Sequence, residues 1–192
     1  MVVAIAKENK MKQIERYEEN KKTDKNHVAT PRWVVEDIYN RIDIKSFNKC
    51  WFPFNNYDSE FKLKADELNL EYLATHIFDD CGNDFFTTLP PNETDLMISN
   101  PPFDEQNKII ERSFWLVEAG YIKSFALLLP LATLETPKRA DMYEKYADKL
   151  SVGIFKKRIK FLGHKSVFNK GCCWICYNIP KLYKSHTQLW WI

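Results

Sequence analysis

From residue 30 onward, short apolar runs alternate with longer stretches in which apolar residues recur every three or four positions. Trp33, Val34, Val35, Ile38, Tyr39 and Ile42 follow Thr30-Pro31 at helical spacing, with a proline near the first helical position, and predict a helix. Strand-like runs are expected at 49–54, 72–77, 95–99, 124–131, 153–161 and 172–179, and further helices at 59–68, 106–119 and 138–150. Strands alternating with helices over this length build βαβ units, so the expected fold is α/β, a doubly wound, mostly parallel sheet covered on both faces. The last two runs break the pattern. Their connection around 163–171 is too short for a crossover helix, so they are expected to form an antiparallel hairpin at one edge.

The stretch 7–26 differs from all this: it is dense in Lys, Glu and Asn, a composition that resists burial. It divides the chain into a charged arm or helix over 1–26 and a single domain over 27–192. A length of 192 residues with 45% hydrophobic content suits one core rather than two. The 28 basic and 26 acidic residues nearly cancel, so any attraction to nucleic acid must come from a local patch. Lys156, Lys157, Arg158 and Lys160, followed by Lys165 and Lys170, form one.

Five cysteines make an odd set, and three crowd into Cys172-Cys173-Trp174-Ile175-Cys176, which is not the spacing of a disulfide framework. A reducing, cytoplasmic setting is expected. Zinc held by Cys172, Cys173 and Cys176 with His164 is the weaker alternative, because these cysteines alternate with Trp174, Ile175 and Tyr177 in a strand-like run; no metal is expected. No apolar stretch approaches the roughly 20 residues of a membrane helix, so no membrane partner is expected, and residues 1–6 are too short for a signal-peptide core. The apolar end Leu189-Trp190-Trp191-Ile192 suggests docking on the core or on a second subunit in a homodimer.

The chemistry is concentrated in one motif. Asp95-Leu96-Met97-Ile98-Ser99 reads as a buried strand, and Asn100-Pro101-Pro102-Phe103 follows at its carboxyl end, where open α/β sheets bind ligands. Two prolines remove two backbone donors and stiffen the exit from the sheet, leaving carbonyls free to face a ligand. An exocyclic amine such as that of adenine is a poor nucleophile, and a fixed pair of acceptors helps it as positive charge develops. The Asn100 side-chain carbonyl and the Pro101 main-chain carbonyl are such a pair. Phe103 adds a flat apolar face, on which a base taken out of its stack gains about 1–3 kcal/mol.

With these residues the chain resembles the S-adenosylmethionine-dependent amino-methyltransferases that methylate adenine at N6 in DNA or RNA, particularly the small proteins of phage type. The resemblance covers roughly 30–180. It rests on the Asn-Pro-Pro-Phe motif, on Thr30-Pro31 ahead of the first helix, on Phe125-Ala126-Leu127-Leu128-Leu129-Pro130, and on Arg158-Ile159-Lys160-Phe161-Leu162-Gly163. It implies a Rossmann-like class I methyltransferase sheet of seven strands and S-adenosylmethionine as cofactor. By the same resemblance Thr30 and Pro31 line the cofactor pocket and Phe168 touches the target base. Lys157, Arg158 and Lys165 of the basic patch, on the expected substrate side, are candidates for holding phosphates, with a solvated hairpin as the alternative.

Most members of that family carry a glycine-rich loop after the first strand, where this chain has Pro53-Phe54-Asn55-Asn56-Tyr57-Asp58-Ser59-Glu60. Here Asn55 or Asn56 is expected to make the turn and Ser59 to cap the next helix. Where the family has an acid after its second strand, His76 is the hydrogen-bonding counterpart. Asn83-Asp84-Phe85-Phe86 resembles the segment in which an Asp and an aromatic meet the cofactor adenine, although Gly82-Asn83-Asp84 equally suits a plain turn. Two alternatives stay open: a catalytically silent binding protein with the same fold, and a methyltransferase acting on a protein glutamine amide.

Overall fold

The computed structural model describes residues 29–55, 59–77, 83–91, 93–162, 167–184 and 188–192. The arm expected over 1–26, and Asn56, Gly82, His164 and Lys165, lie outside them. The elements run α1 (Arg32–Ile42), β1 (Lys49–Pro53), α2 (Glu60–Glu67), β2 (Glu71–Thr75), β3 (Thr94–Ser99), α3 (Gln106–Glu118), β4 (Ile122–Pro130), α4 (Pro137–Lys145), β5 (Leu150–Ile154), β6 (Cys172–Tyr177), α5 (Pro180–Tyr183) and β7 (Leu189–Trp191). They form one seven-stranded sheet in the order β2-β1-β3-β4-β6-β5-β7, in which β6 alone runs antiparallel to its neighbours.

The period of two along the central strands sorts the core into two layers. Cys50, Phe52, Leu96, Ile98, Ala126, Leu128, Trp174 and Cys176 face α1, α2 and α5. Trp51, Met97, Phe125, Leu127, Leu129, Cys173 and Ile175 face α3 and α4. β3 and β6 are buried at every position, as strands covered on both faces must be. Cys173 therefore points to the opposite layer from Cys172 and Cys176, and the three thiols do not converge. Burial pushes the Cys172 and Cys173 thiols up to about 12, which keeps them protonated core side chains. Among the described residues no group of three or more His, Cys, Asp and Glu is gathered to hold a metal, and no helix is long and apolar enough to cross a membrane.

The antiparallel hairpin of the last two long runs is present, with β6 inserted between β4 and β5. The strand expected over 153–161 covers Leu150–Ile154 instead. The Phe155 N–H still donates to the Cys172 carbonyl of β6 at 3.2 Å; beyond it the Lys156 N–H bonds to the Ile192 carbonyl, 2.8 Å away. The helix expected over 138–150 ends at Lys145, and Tyr146 stacks on Phe114 at 3.9 Å.

The apolar chain end docks on the core as β7, parallel to β5. Gly153 makes this possible: a Cβ there would lie 2.3 Å from the indole carbons of buried Trp190. Gly153→Ala is expected to lower stability by about 1–3 kcal/mol by overpacking. Adding Trp190→Ala should make the pair less destabilising than the sum of the single changes, as thermal unfolding of a double-mutant cycle would show.

Charge closes the sheet at the amino-terminal ends of its central strands β1, β3 and β4. Asp95 accepts from the Asn48 N–H at 2.8 Å and pairs with Lys123 Nζ at 2.6 Å. Burial works to raise the Asp95 pKa, but Lys123 and the Asn48 N–H outweigh it, and the carboxyl is held below the usual aspartate range. A carboxylate depressed in the folded state stabilises above its unfolded pKa and loses that contribution as the pH falls through its folded pKa. Asp95→Asn should therefore cost about 1–3 kcal/mol at neutral pH. The gap to the parent protein should narrow below about pH 3.9, measured by urea unfolding across pH.

Candidate active site

The loop after β1 solves without glycine a problem that glycine usually solves. Among the described residues of the loop the left-handed one is Phe54, at φ 63; Asn55, one of the two residues expected to make the turn, is not left-handed, and Asn56 lies outside the described residues. The conformation costs a non-glycine residue about 1–2 kcal/mol, and packing offsets it: the Phe54 ring lies 4.8 Å from that of Phe85. Asn55 is spared the turn for another task. Its N–H bonds to the Thr75 carbonyl at the end of β2 (3.1 Å). Its side-chain amide donates to the Pro53 carbonyl (2.8 Å) and to Ser99 Oγ at the end of β3 (3.1 Å).

Two hydroxyls complete the network. Ser99 donates to the Pro53 carbonyl, and Ser59 donates to the Asn55 side-chain oxygen. Ser59 thus stands at the N-cap position of α2, but its hydroxyl closes the loop instead of capping the helix. Asn55 and Ser99 are both buried, so these bonds form away from competing water. The carboxyl ends of β1, β2 and β3 are thereby tied together. Asn100 follows immediately after Ser99, so the Asn-Pro-Pro-Phe motif starts one residue from the loop.

The neighbouring segment is held from behind. Phe85 is buried (3%) and stacked on Trp51 at 5.6 Å, while Phe86 is the half-exposed member of the pair. An Asp84 carboxylate oxygen accepts from the Phe86 N–H at 2.9 Å, and the Asp84 carbonyl accepts from Thr87 and Thr88. The segment is therefore a turn built around Asp84, and a turn of this kind leaves the remaining lone pairs of the carboxylate for a ligand. Arg112, on α3, lies over Phe85 (5.6 Å) and donates to the Thr88 carbonyl (2.9 Å). Burial lowers its pKa, opposed by the Asp84 carboxylate. His76 sits half-buried just past β2, on the same edge of the sheet.

On the other side of the motif three phenylalanines meet. Phe103 lies 5.3 Å from Phe168 and 6.2 Å from Phe161, and the last two are 5.7 Å apart. Phe161 is buried at 2%, so it supports the half-exposed rings of Phe103 and Phe168. The Asn100 side-chain oxygen is buried beside them in sequence, Pro101 is buried and Pro102 is half-buried.

Thr30 and Pro31 are buried at the start of α1, where Pro31 occupies the N-cap position and accepts from the Val34 N–H. A bridge between Ala29 and Leu162 brings this start to the segment carrying Phe161. Glu60, first in α2, lies 3.9 Å from Arg32 and so also reaches the start of α1. Lys157 and Arg158 are exposed on the stretch between β5 and the three rings.

The structure thus brings Pro53, Asn55 and Ser59 to Ser99, next to the motif, joins Phe54 to Phe85 and Phe103 to Phe168, and turns Glu60 to Arg32. Sequence inspection did not single out Ser99, Thr75, Arg112 or Phe161. Ser99 and Thr75 had one available signal, a small hydroxyl residue closing an otherwise apolar strand run. Phe161 was hidden in the run taken for a strand, and Arg112 looks like any helical cation.

No family model matches the chain, and neither does any curated protein. Solved structures do. ErmE, a 23S rRNA methyltransferase, superposes with a TM-score of 0.51 at 13% identity, over 79% of this chain and 69% of its own. A structure from Vibrio vulnificus YJ016, described as a modification subunit of a type I restriction enzyme, superposes with a TM-score of 0.53 at 11% identity, over 94% of this chain. The chain spans about half of that subunit (49%). The fold is the Rossmann-like class I methyltransferase fold, a seven-stranded mixed sheet with one antiparallel member.

Proposed function

We propose that this chain is an S-adenosylmethionine-dependent methyltransferase that acts on the N6 amine of adenine in DNA or RNA. The observation that supports this most is the bond from Ser99 to Pro53, which ties the end of the strand that leads into Asn100 to the glycine-less loop. The chain fits the cofactor on one specific ground. Phe54 at φ 63 gives the loop a backbone shape that glycine ordinarily provides, so the lack of glycine does not close the edge of the sheet.

Thr30, Pro31, Pro53, Phe54, Glu60, His76, Asp84 and Phe85 would surround the cofactor, with Asn55 and Ser59 fixing the loop. The bound cofactor supplies a methyl group made electrophilic by its positive sulfur. Asn100 Oδ1 and the Pro101 carbonyl accept hydrogen bonds from the target amine, and these strengthen as the nitrogen gains positive charge. Phe103 and Phe168 hold the ring, and Phe161 fixes the two in place. Lys157, Arg158 and Lys165 would meet phosphates, which position a strand without reading its sequence.

One observation favours the silent binding protein: Phe54 carries a large side chain where a glycine leaves space. Calorimetric titration with S-adenosylmethionine separates the two. Saturable heat is expected, and no heat at millimolar cofactor would defeat the enzyme assignment.

A further inference from the structure

The cations on the helices are mostly answered by carboxylates, as Arg32 is by Glu36 and Glu67, or Lys145 by Glu118. Lys156, Lys157, Arg158 and Lys160 are different. All four are exposed, and none has an ion-pair partner among the described residues. Four exposed cations without an ion pair among the described residues thus crowd into five positions, on the segment that runs from the end of β5 to Phe161.

Two bare tryptophans stand where that segment begins. Trp33, 48% exposed, rests edge-on against Phe155 at 5.8 Å. Trp191, 57% exposed, is paired in register with Ile154, and the next residue, Ile192, accepts from the Lys156 N–H. Because Trp190 packs into the layer under α1, the alternation of β7 turns Trp191 to the opposite side from Trp33. From Lys156 to Phe161 the backbone reaches at most about 18 Å, so the tryptophans lie within a short run of nucleotides of the Phe103 site. Exposed aromatic faces next to unpaired cations suit bases with free π-faces and a phosphate backbone, which a duplex does not offer together.

We propose that residues 156–160, flanked by Trp33 on one face of the sheet and Trp191 on the other, form a track around the β7 edge that binds single-stranded nucleic acid and leads it to Phe103. The proposal rests on the assignment of this side to nucleic acid, but not on methyl transfer itself.

The test is fluorescence anisotropy of the full chain, without cofactor, against a labelled DNA strand, the matching RNA strand and the DNA duplex. At least one single strand is expected to bind more tightly than the duplex. Trp33→Ala and Trp191→Ala should each weaken single-strand binding about tenfold. Removing Lys157 and Arg158 together should lower the slope of log affinity against log salt by about 1.4. Lys138→Ala, on α4, should change neither quantity. Equal or tighter binding of the duplex overturns the proposal, as does parental affinity in both tryptophan variants or an unchanged salt slope. Cofactor titration of the same proteins is read separately, so loss of heat there counts against the transferase and leaves the track standing.

Discussion

Asn100→Ala is expected to reduce methyl transfer by about 10²–10³-fold, the usual loss when one fixed polar group facing developing charge is removed. On the proposed function the substituted side chain meets the target amine, whereas the described bonds that hold the loop run through Asn55, Ser59, Ser99 and Pro53. Cofactor affinity should therefore stay within about threefold of the parent, a difference well under 1.4 kcal/mol. Single-turnover rates together with calorimetry check both halves. Undiminished transfer would mean that Asn100 is not an acceptor for the amine.

A second large effect is expected at the loop, on cofactor binding rather than on transfer. Asn55→Ala removes the donors to Pro53 and Ser99 and the acceptor for Ser59. Ser99 still donates to Pro53, but the Ser59 hydroxyl loses its partner and the tie between the loop and β3 is cut, at a cost of about 1–3 kcal/mol. The cofactor dissociation constant should rise about tenfold or more. Phe54→Gly releases the left-handed turn from its strain while deleting a ring contact, so it should bind cofactor at least as well as the parent. If Asn55→Ala bound as the parent does, the network would not be what shapes the pocket.

Much of the sheet was legible because β1, β3, β4 and β6 are apolar runs bounded by polar residues, and burial on both faces gives that pattern directly. The motif at 100–103 was legible for a related reason: its prolines and aromatic stand where a strand must end. β7 was not, because three residues carry no period. Its pairing depends on Gly153 making room for Trp190, a contact across 37 positions that only the fold reveals. The left-handed residue at 54 was missed because sequence statistics favour Asn in that conformation, and tertiary packing on Phe85 overrode them. The link from Asn55 to Ser99 spans 44 positions, and no local pattern announces it.

The central claim is tested most directly by incubating the full chain with methyl-labelled S-adenosylmethionine in the presence of single-stranded DNA, RNA, duplex DNA and a mixed protein fraction, then digesting each and separating the products. Label is expected in N6-methyladenine from at least one nucleic acid. Label confined to protein, or to a base other than adenine, would contradict it.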